Sequence, residues 1–143
     1  MASLGEYEQG LPIMETFKKE YPEYKIVLTF FSPSGYEIRK NNKVADVTLY
    51  LPLDTQSNVE QFLNLVKPKM VFFIKYEFWP NYLYELKKRN IPTYLISGIF
   101  RENQFFFKSY GGFYREALKA FDHLFVQNES SKKLLSTIGF TNV

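Results

Sequence analysis

Two glutamates, a set of small hydroxyl residues and one arginine are the side chains whose types and spacing could do chemistry. Glu6 closes the opening stretch Ala2-Ser3-Leu4-Gly5-Glu6. Glu77 sits in Tyr76-Glu77-Phe78-Trp79-Pro80-Asn81, and Ser32-Pro33-Ser34-Gly35 and Arg101 complete the set. A carboxylate within hydrogen-bond reach of a sugar hydroxyl can take its proton as that oxygen attacks. Gly5 suits this, because a residue without a Cβ lets a ligand approach the backbone closely. Each glutamate also has a plainer reading: at a helix N-terminus it stabilises the macrodipole by about 0.3–1 kcal/mol. Ser32–Gly35 reads either as an anion-binding turn at a helix start or as a simple capping turn. Carboxylates, hydroxyls, glycines and an arginine together fit a polyhydroxylated or anionic ligand.

Other chemistries are excluded by composition. There is no cysteine, so neither thiol catalysis nor a cysteine-bound metal is available. His123 is the only histidine, which rules out a multi-histidine metal site within the chain. It precedes Leu124-Phe125-Val126 and reads as a residue at the start of a strand. A net charge of +3 without a basic stripe argues against a nucleic-acid partner. Neither G-x-G-x-x-G nor G-x-x-x-x-G-K-[ST] occurs, so dinucleotide and P-loop readings have no support. No apolar run approaches the roughly 20 residues of a membrane span, and none is expected to act as a signal peptide.

The chemistry-bearing residues need elements to position them. Short apolar runs at Tyr24–Phe31, Asp46–Tyr50, Met70–Lys75, Thr93–Ser97 and His123–Gln127 read as strands. Between them, helical periodicity runs over Tyr7–Glu20, Ser34–Asn41, Thr55–Val66, Pro80–Arg89, Gly112–Ala120 and Glu129–Ile138. Leu11, Met14 and Phe17 form the apolar stripe of the first helix. Asp54 is the expected N-cap of the third, and Gly139 the stop signal of the last. Alternation of this kind implies right-handed βαβ units around an open parallel sheet. The expected fold class is α/β, a Rossmann-like three-layer αβα arrangement with a mostly parallel sheet, in one domain over residues 1–143. In such a sheet the loops at the carboxyl ends of the strands bind ligands, and those loops carry the residues named above.

Two features stand apart. Almost no strand precedes the opening loop, so the chain is expected to be a piece of a longer protein with most of a first strand missing. Strand edges left exposed by that gap could pair between copies into a homo-oligomer. The second feature is aromatic content: 15 Phe, 11 Tyr and one Trp exceed the needs of a core this size. Phe105, Phe106, Phe107 and Lys108, between Arg101 and Arg115, are candidates for a membrane interface, where rings and basic groups meet headgroups. The alternative is that these rings pack inside or against a partner domain.

Taken in order, the loops resemble those of bacterial 3-deoxy-D-manno-octulosonate (Kdo) transferases. The resemblance rests on Ala2–Glu6, Ser32-Pro33-Ser34-Gly35-Tyr36-Glu37, Tyr50-Leu51-Pro52-Leu53-Asp54, Lys67-Pro68-Lys69, Glu77–Asn81, Arg89-Asn90-Ile91-Pro92 and Gln127-Asn128-Glu129-Ser130. It runs along essentially the whole chain. It implies the N-terminal, acceptor-side half of a GT-B glycosyltransferase, which moves Kdo from CMP-Kdo to a lipid A precursor in lipopolysaccharide synthesis. It further implies that Glu6 matches the general base and Glu77 a second acidic position supporting the transition state. Ser32, Ser34 and Gly35 match an acceptor-lining stretch, which Ser3, Gly5 and Arg101 would extend. The same resemblance implies no metal or other cofactor, a donor domain that binds CMP-Kdo, and work at the cytoplasmic face of the inner membrane. This half alone is expected to be soluble and inactive. Two other readings remain: a GT-B transferase with a different nucleotide sugar, and a non-catalytic module that binds a membrane surface or the acceptor.

Overall fold

The structure, a computed structural model, describes residues 4–75 and 78–143. The chain divides into two compact units, Met1–Pro52 and Leu53–Val143.

In the first unit, α1 (Leu4–Glu20), β1 (Val27–Phe30), α2 (Pro33–Arg39) and β2 (Val47–Tyr50) follow in order. β1 and β2 run parallel, Val27 opposite Val47 and Phe30 opposite Tyr50. Tyr7, Leu28 and Phe30 make the buried core, with Leu11, Met14, Tyr36 and Ala45 packed around it. Two members of the expected α1 stripe thus serve this core. The third, Phe17, lies against Tyr21 and Tyr24 at 5.2 and 6.0 Å. This explains why β1 begins at Val27 rather than Tyr24: the Tyr24 N–H donates to the Tyr21 carbonyl at 3.1 Å and closes a turn. Asn42 fixes the connection into β2. Its amide donates to the Arg39 carbonyl and Thr48 Oγ1, and its oxygen accepts from Val44 and Ala45 N–H.

The second unit contains α3 (Gln56–Val66), β3 (Val71–Ile74), α4 (Pro80–Lys88), β4 (Thr93–Gly98), a 3-10 turn (Phe105–Phe107), α5 (Gly112–Leu118), β5 (His123–Val126) and α6 (Glu129–Thr137). Its three strands are ordered β3-β4-β5 and all pair in parallel. Leu95 of the central strand is fully buried, as are Val59, Leu83, Leu118, Leu124 and Leu135 from the surrounding elements. Gly139 follows α6 with φ +92, the left-handed stop expected there. Strands alternating with helices, and parallel pairing throughout the described strands, make this an α/β protein of the Rossmann-like class, its strands forming sheets of two and three.

One expected cap is corrected. Thr55, not Asp54, caps α3: its Oγ1 accepts the Asn58 N–H at 3.2 Å. Asp54 is engaged elsewhere, as described below.

Candidate active site

Glu6 lies in the first turn of α1, the place where a negative charge meets the positive helix end. It is buried, at 5% exposure, whereas Gly5 beside it is exposed. The turn is held by its neighbour Tyr7, whose ring packs 5.9 Å from Phe30 at the carboxyl end of β1. The Arg39 guanidinium lies over the Tyr7 ring, 5.6 Å from its centroid, and bonds Glu8 at 2.9 Å. Burial raises the Tyr7 hydroxyl above its ordinary pKa, so the ring stays neutral.

The Ser32–Gly35 turn leaves from the same end of β1. Ser32 is the N-cap of α2, its Oγ accepting the Ser34 N–H at 3.2 Å and lying 2.8 Å from Ser34 Oγ. Gly35 is buried and Ser34 exposed. The capping reading of this turn therefore holds as geometry. The first unit brings Gly5, Glu6, Ser32, Ser34 and Gly35 to one end; Ser3 lies outside the described residues.

In the second unit the loop after β3 carries Glu77, which with Tyr76 lies outside the described residues. Its neighbour Phe78 is anchored among rings, 5.4 Å from Phe100 and 5.0 Å from Phe106. Lys75 and Ser97, at the carboxyl ends of β3 and β4, both take left-handed backbone angles, φ 61 and 56. Such conformations cost about 1–2 kcal/mol in non-glycine residues and tend to collect where a site is shaped. Nothing in their types signalled this. The loop after β4 carries the exposed Arg101, whose backbone N–H donates to Gln104 Oε1 at 2.9 Å.

The aromatic segment divides by residue. Phe106 is buried, Phe107 and Lys108 are half-buried, and Phe105 is 55% exposed. Phe106 is thus a core residue, which removes it from any surface. Phe105 stacks on Tyr114 at 5.2 Å and meets Tyr110 at 6.2 Å; Phe113 meets Tyr114 and Tyr84 at 5.5 and 5.3 Å. The result is one run of rings whose members Phe105, Tyr110 and Phe113 are each more than half exposed. Among the described residues, no group of His, Asp and Glu side chains converges as a metal site would require, and no helix is long and apolar enough to cross a membrane.

The whole chain, residues 1–143, matches the family model of 3-deoxy-D-manno-octulosonic-acid transferase (kdotransferase). The chain belongs to the Kdo transferase family. It is similar to the 3-deoxy-D-manno-octulosonic acid transferase of Haemophilus influenzae, 37% identical over 93 residues, covering 64% of this chain and 22% of that protein. The Aquifex aeolicus transferase is 35% identical over 97 residues, 67% of this chain and 26% of its own length. The Rickettsia bellii transferase aligns over 144 residues at 29% identity, 99% of this chain and 34% of that protein. The chain spans about a fifth to a third of the length of these relatives.

Proposed function

We propose that the chain is the acceptor-side domain of a glycosyltransferase that moves Kdo from CMP-Kdo to a lipid A precursor, with Glu6 as general base. The observation that carries this reading is the buried first-turn carboxylate of Glu6 beside an exposed glycine, at the end of the unit where the Ser32–Gly35 turn also lies. The family match over residues 1–143 supplies the reaction class. In the reaction, Glu6 takes the proton of an acceptor hydroxyl as its oxygen forms a bond to the anomeric carbon of Kdo. The bond from that carbon to the CMP phosphate oxygen breaks, and CMP leaves with the electron pair. Glu77 supports the charge that develops in this step, and Ser3, Gly5, Ser32, Ser34, Gly35 and Arg101 line the acceptor. As the resemblance implies, no metal takes part and the donor is bound by a separate domain.

In the same reading the protein works at the cytoplasmic face of the inner membrane. Phe105, Tyr110 and Phe113 form the contact, flanked by Arg101 and Lys108. Phe106 takes no part in it.

The test is CMP release from CMP-Kdo and a tetra-acylated lipid A precursor, by a protein carrying this chain ahead of a donor domain. Glu6→Gln lowers turnover by about 10²–10⁴-fold, the usual cost of losing a general base. Wild-type-like turnover by that variant removes Glu6 from the role. Acceptor binding without CMP release, in the protein with Glu6 intact, transfers the reading to a different nucleotide sugar.

A further inference from the structure

The first unit carries two groups of rings at opposite ends of β1. Phe17, Tyr21 and Tyr24 gather before it, at its amino end. Tyr36 and Tyr50 lie at the carboxyl end, the edge where open α/β sheets bind ligands. Tyr50 is the last residue of β2 and Tyr36 stands one turn into α2. Their rings stack with centroids 4.1 Å apart and planes inclined by 29°. Both are fixed from behind. Tyr36 is half-buried and packs against the core of Tyr7, Leu28 and Phe30, while Tyr50 pairs with Phe30 in the strand register. Tyr36 covers one face of the Tyr50 ring, yet Tyr50 remains 43% exposed. Desolvation, and after it the nearby Glu37 carboxylate, raises the Tyr50 hydroxyl above its ordinary pKa, so the ring is neutral.

The same core joins this pair to the candidate catalytic turn. Tyr7, next to Glu6, belongs to the cluster on which Tyr36 packs, and its ring meets Phe30 at 5.9 Å. Ser32 and Ser34 stand in the chain between Phe30 and Tyr36. A carboxylate, two hydroxyls and an aromatic face therefore collect at one end of the unit. Each suits a different part of a sugar. Hydroxyl and carboxylate oxygens bond sugar hydroxyls. The C–H-bearing face of a pyranose ring needs an apolar surface instead, and the negative face of an aromatic ring attracts its slightly positive hydrogens. A tyrosine already stacked on a seated neighbour offers that face at little ordering cost.

We propose that the Tyr36–Tyr50 stack is a carbohydrate subsite of the acceptor end, in which Tyr50 presents its uncovered face to a pyranose ring and Tyr36 holds it in place. The proposal rests on the acceptor reading of this end and adds to it the group that recognises a sugar ring. Stacking of this kind is made equally in the ground state and the transition state, so its loss falls on acceptor KM and not on kcat. A pair that only steadies the fold gives another pattern: lower stability, with the acceptor KM of the folded molecules unchanged.

The experiment compares Tyr50→Ala and Tyr50→Phe with the unsubstituted sequence, each in a protein carrying this chain ahead of a donor domain. CMP release is measured against the concentration of tetra-acylated lipid A precursor. Calorimetric titration measures binding of the same precursor stripped of its acyl chains, and circular dichroism gives the folded fraction. Tyr50→Ala is expected to raise acceptor KM, and to weaken binding of the stripped acceptor, by about 2- to 12-fold, the weight of one stacked ring pair. Little change is expected in kcat or in the KM for CMP-Kdo. Tyr50→Phe keeps the ring and is expected to stay within about 2-fold of the unsubstituted protein on both measures. Binding of the stripped acceptor that is absent, or equal with and without the ring, overturns the subsite; a KM penalty seen only with the acylated acceptor then assigns Tyr50 to the acyl chains. A Tyr50→Phe variant as impaired as Tyr50→Ala overturns the stacking and places the contribution in the hydroxyl. No CMP release by the unsubstituted protein overturns the transfer reading, and the titration then still decides the subsite.

Discussion

Adjacent glycines should respond in opposite directions to the same added methyl group. Gly111 precedes α5 and faces the backbone of the 3-10 turn. A Cβ built there lies 1.8 Å from the Phe105 carbonyl oxygen, 2.8 Å from its carbon and 3.1 Å from the Lys108 carbonyl oxygen. Ordinary contact begins near 3.4 Å, so in Gly111→Ala the Phe105 carbonyl must retreat by about 1.6 Å. It cannot do so by a rotamer change. The Arg115 guanidinium holds the turn through the Phe106 and Lys108 carbonyls at 3.0 and 2.7 Å, and Phe106 is seated in the core. Relief therefore means lifting the turn and part of the Phe106 ring out of its packing. The cost is about 3 kcal/mol, the upper end for overpacking and close to the burial value of a phenylalanine. At Gly112, the first residue of α5, the nearest atom is Arg115 Nη2 at 3.8 Å, an ordinary contact distance. Gly112→Ala should be neutral or stabilising by up to about 0.5–1 kcal/mol, because alanine loses less backbone freedom on entering a helix. Urea unfolding followed by Trp79 emission reports on the unit that contains both sites. With a slope of about 1–3 kcal/mol per molar urea, Gly111→Ala lowers the midpoint by about 1–3 M. Midpoints for the two variants that agree within the equivalent of about 0.5 kcal/mol would refute the backbone clash and the rigidity assigned to the turn.

Two further outcomes are expected. Ser131 is fully buried and its Oγ accepts the Phe100 N–H at 2.9 Å; Ser131→Ala strands that donor and should destabilise the second unit by about 1–3 kcal/mol, read by the same urea assay. In the first unit, the Ile26 N–H bonded to Asp46 Oδ2, assisted by Lys25 and Lys18, holds the Asp46 carboxyl below its ordinary 3.8. A depressed folded pKa gives stability that is present above the unfolded value and lost as pH falls through the folded one. Unfolding followed by far-ultraviolet circular dichroism should therefore show that acid loss below about pH 4, and Asp46→Asn, which has no proton to gain, should reduce it; an unchanged acid limb would deny the bond its role.

The elements were legible because their signals are local. The apolar runs at Met70–Lys75 and His123–Gln127 contain the strands Val71–Ile74 and His123–Val126, and the helical periodicity over Thr55–Val66 contains α3, which buries Val59 and Leu63. What escaped the sequence depends on which segments meet. Tyr24 has the composition of a strand residue, yet a turn and ring contacts to Phe17 of α1 and to Tyr21 claim it. Phe105 and Phe106 are identical in type and adjacent, and only the clamp of Arg115 and the neighbouring rings decides that one is exposed and the other buried.

Asp54 and Thr55 show most clearly what a local rule leaves undecided. Both are capping residues and both stand before α3, so a local rule has no means of choosing between them. The choice is made by α4, whose own N-cap, Trp79, holds an indole in place of an acceptor. Asp54 turns to that helix because its two carboxylate oxygens can serve two N–H groups at once, and Thr55 with its single hydroxyl takes α3. The chemistry of the carboxylates Glu6 and Glu77 could be suspected from their types and loops. The cap of α4 could not, since Trp79 and Asp54 acquire a shared purpose only once α4 lies against Asp54. Substituting Trp79 by Ser would give α4 a cap of its own. The same reasoning then expects the penalty of Asp54→Ala on Asn81 and Tyr82 exchange to shrink in that background; a penalty of the original size would mean that Asp54 acts on α4 by something other than capping.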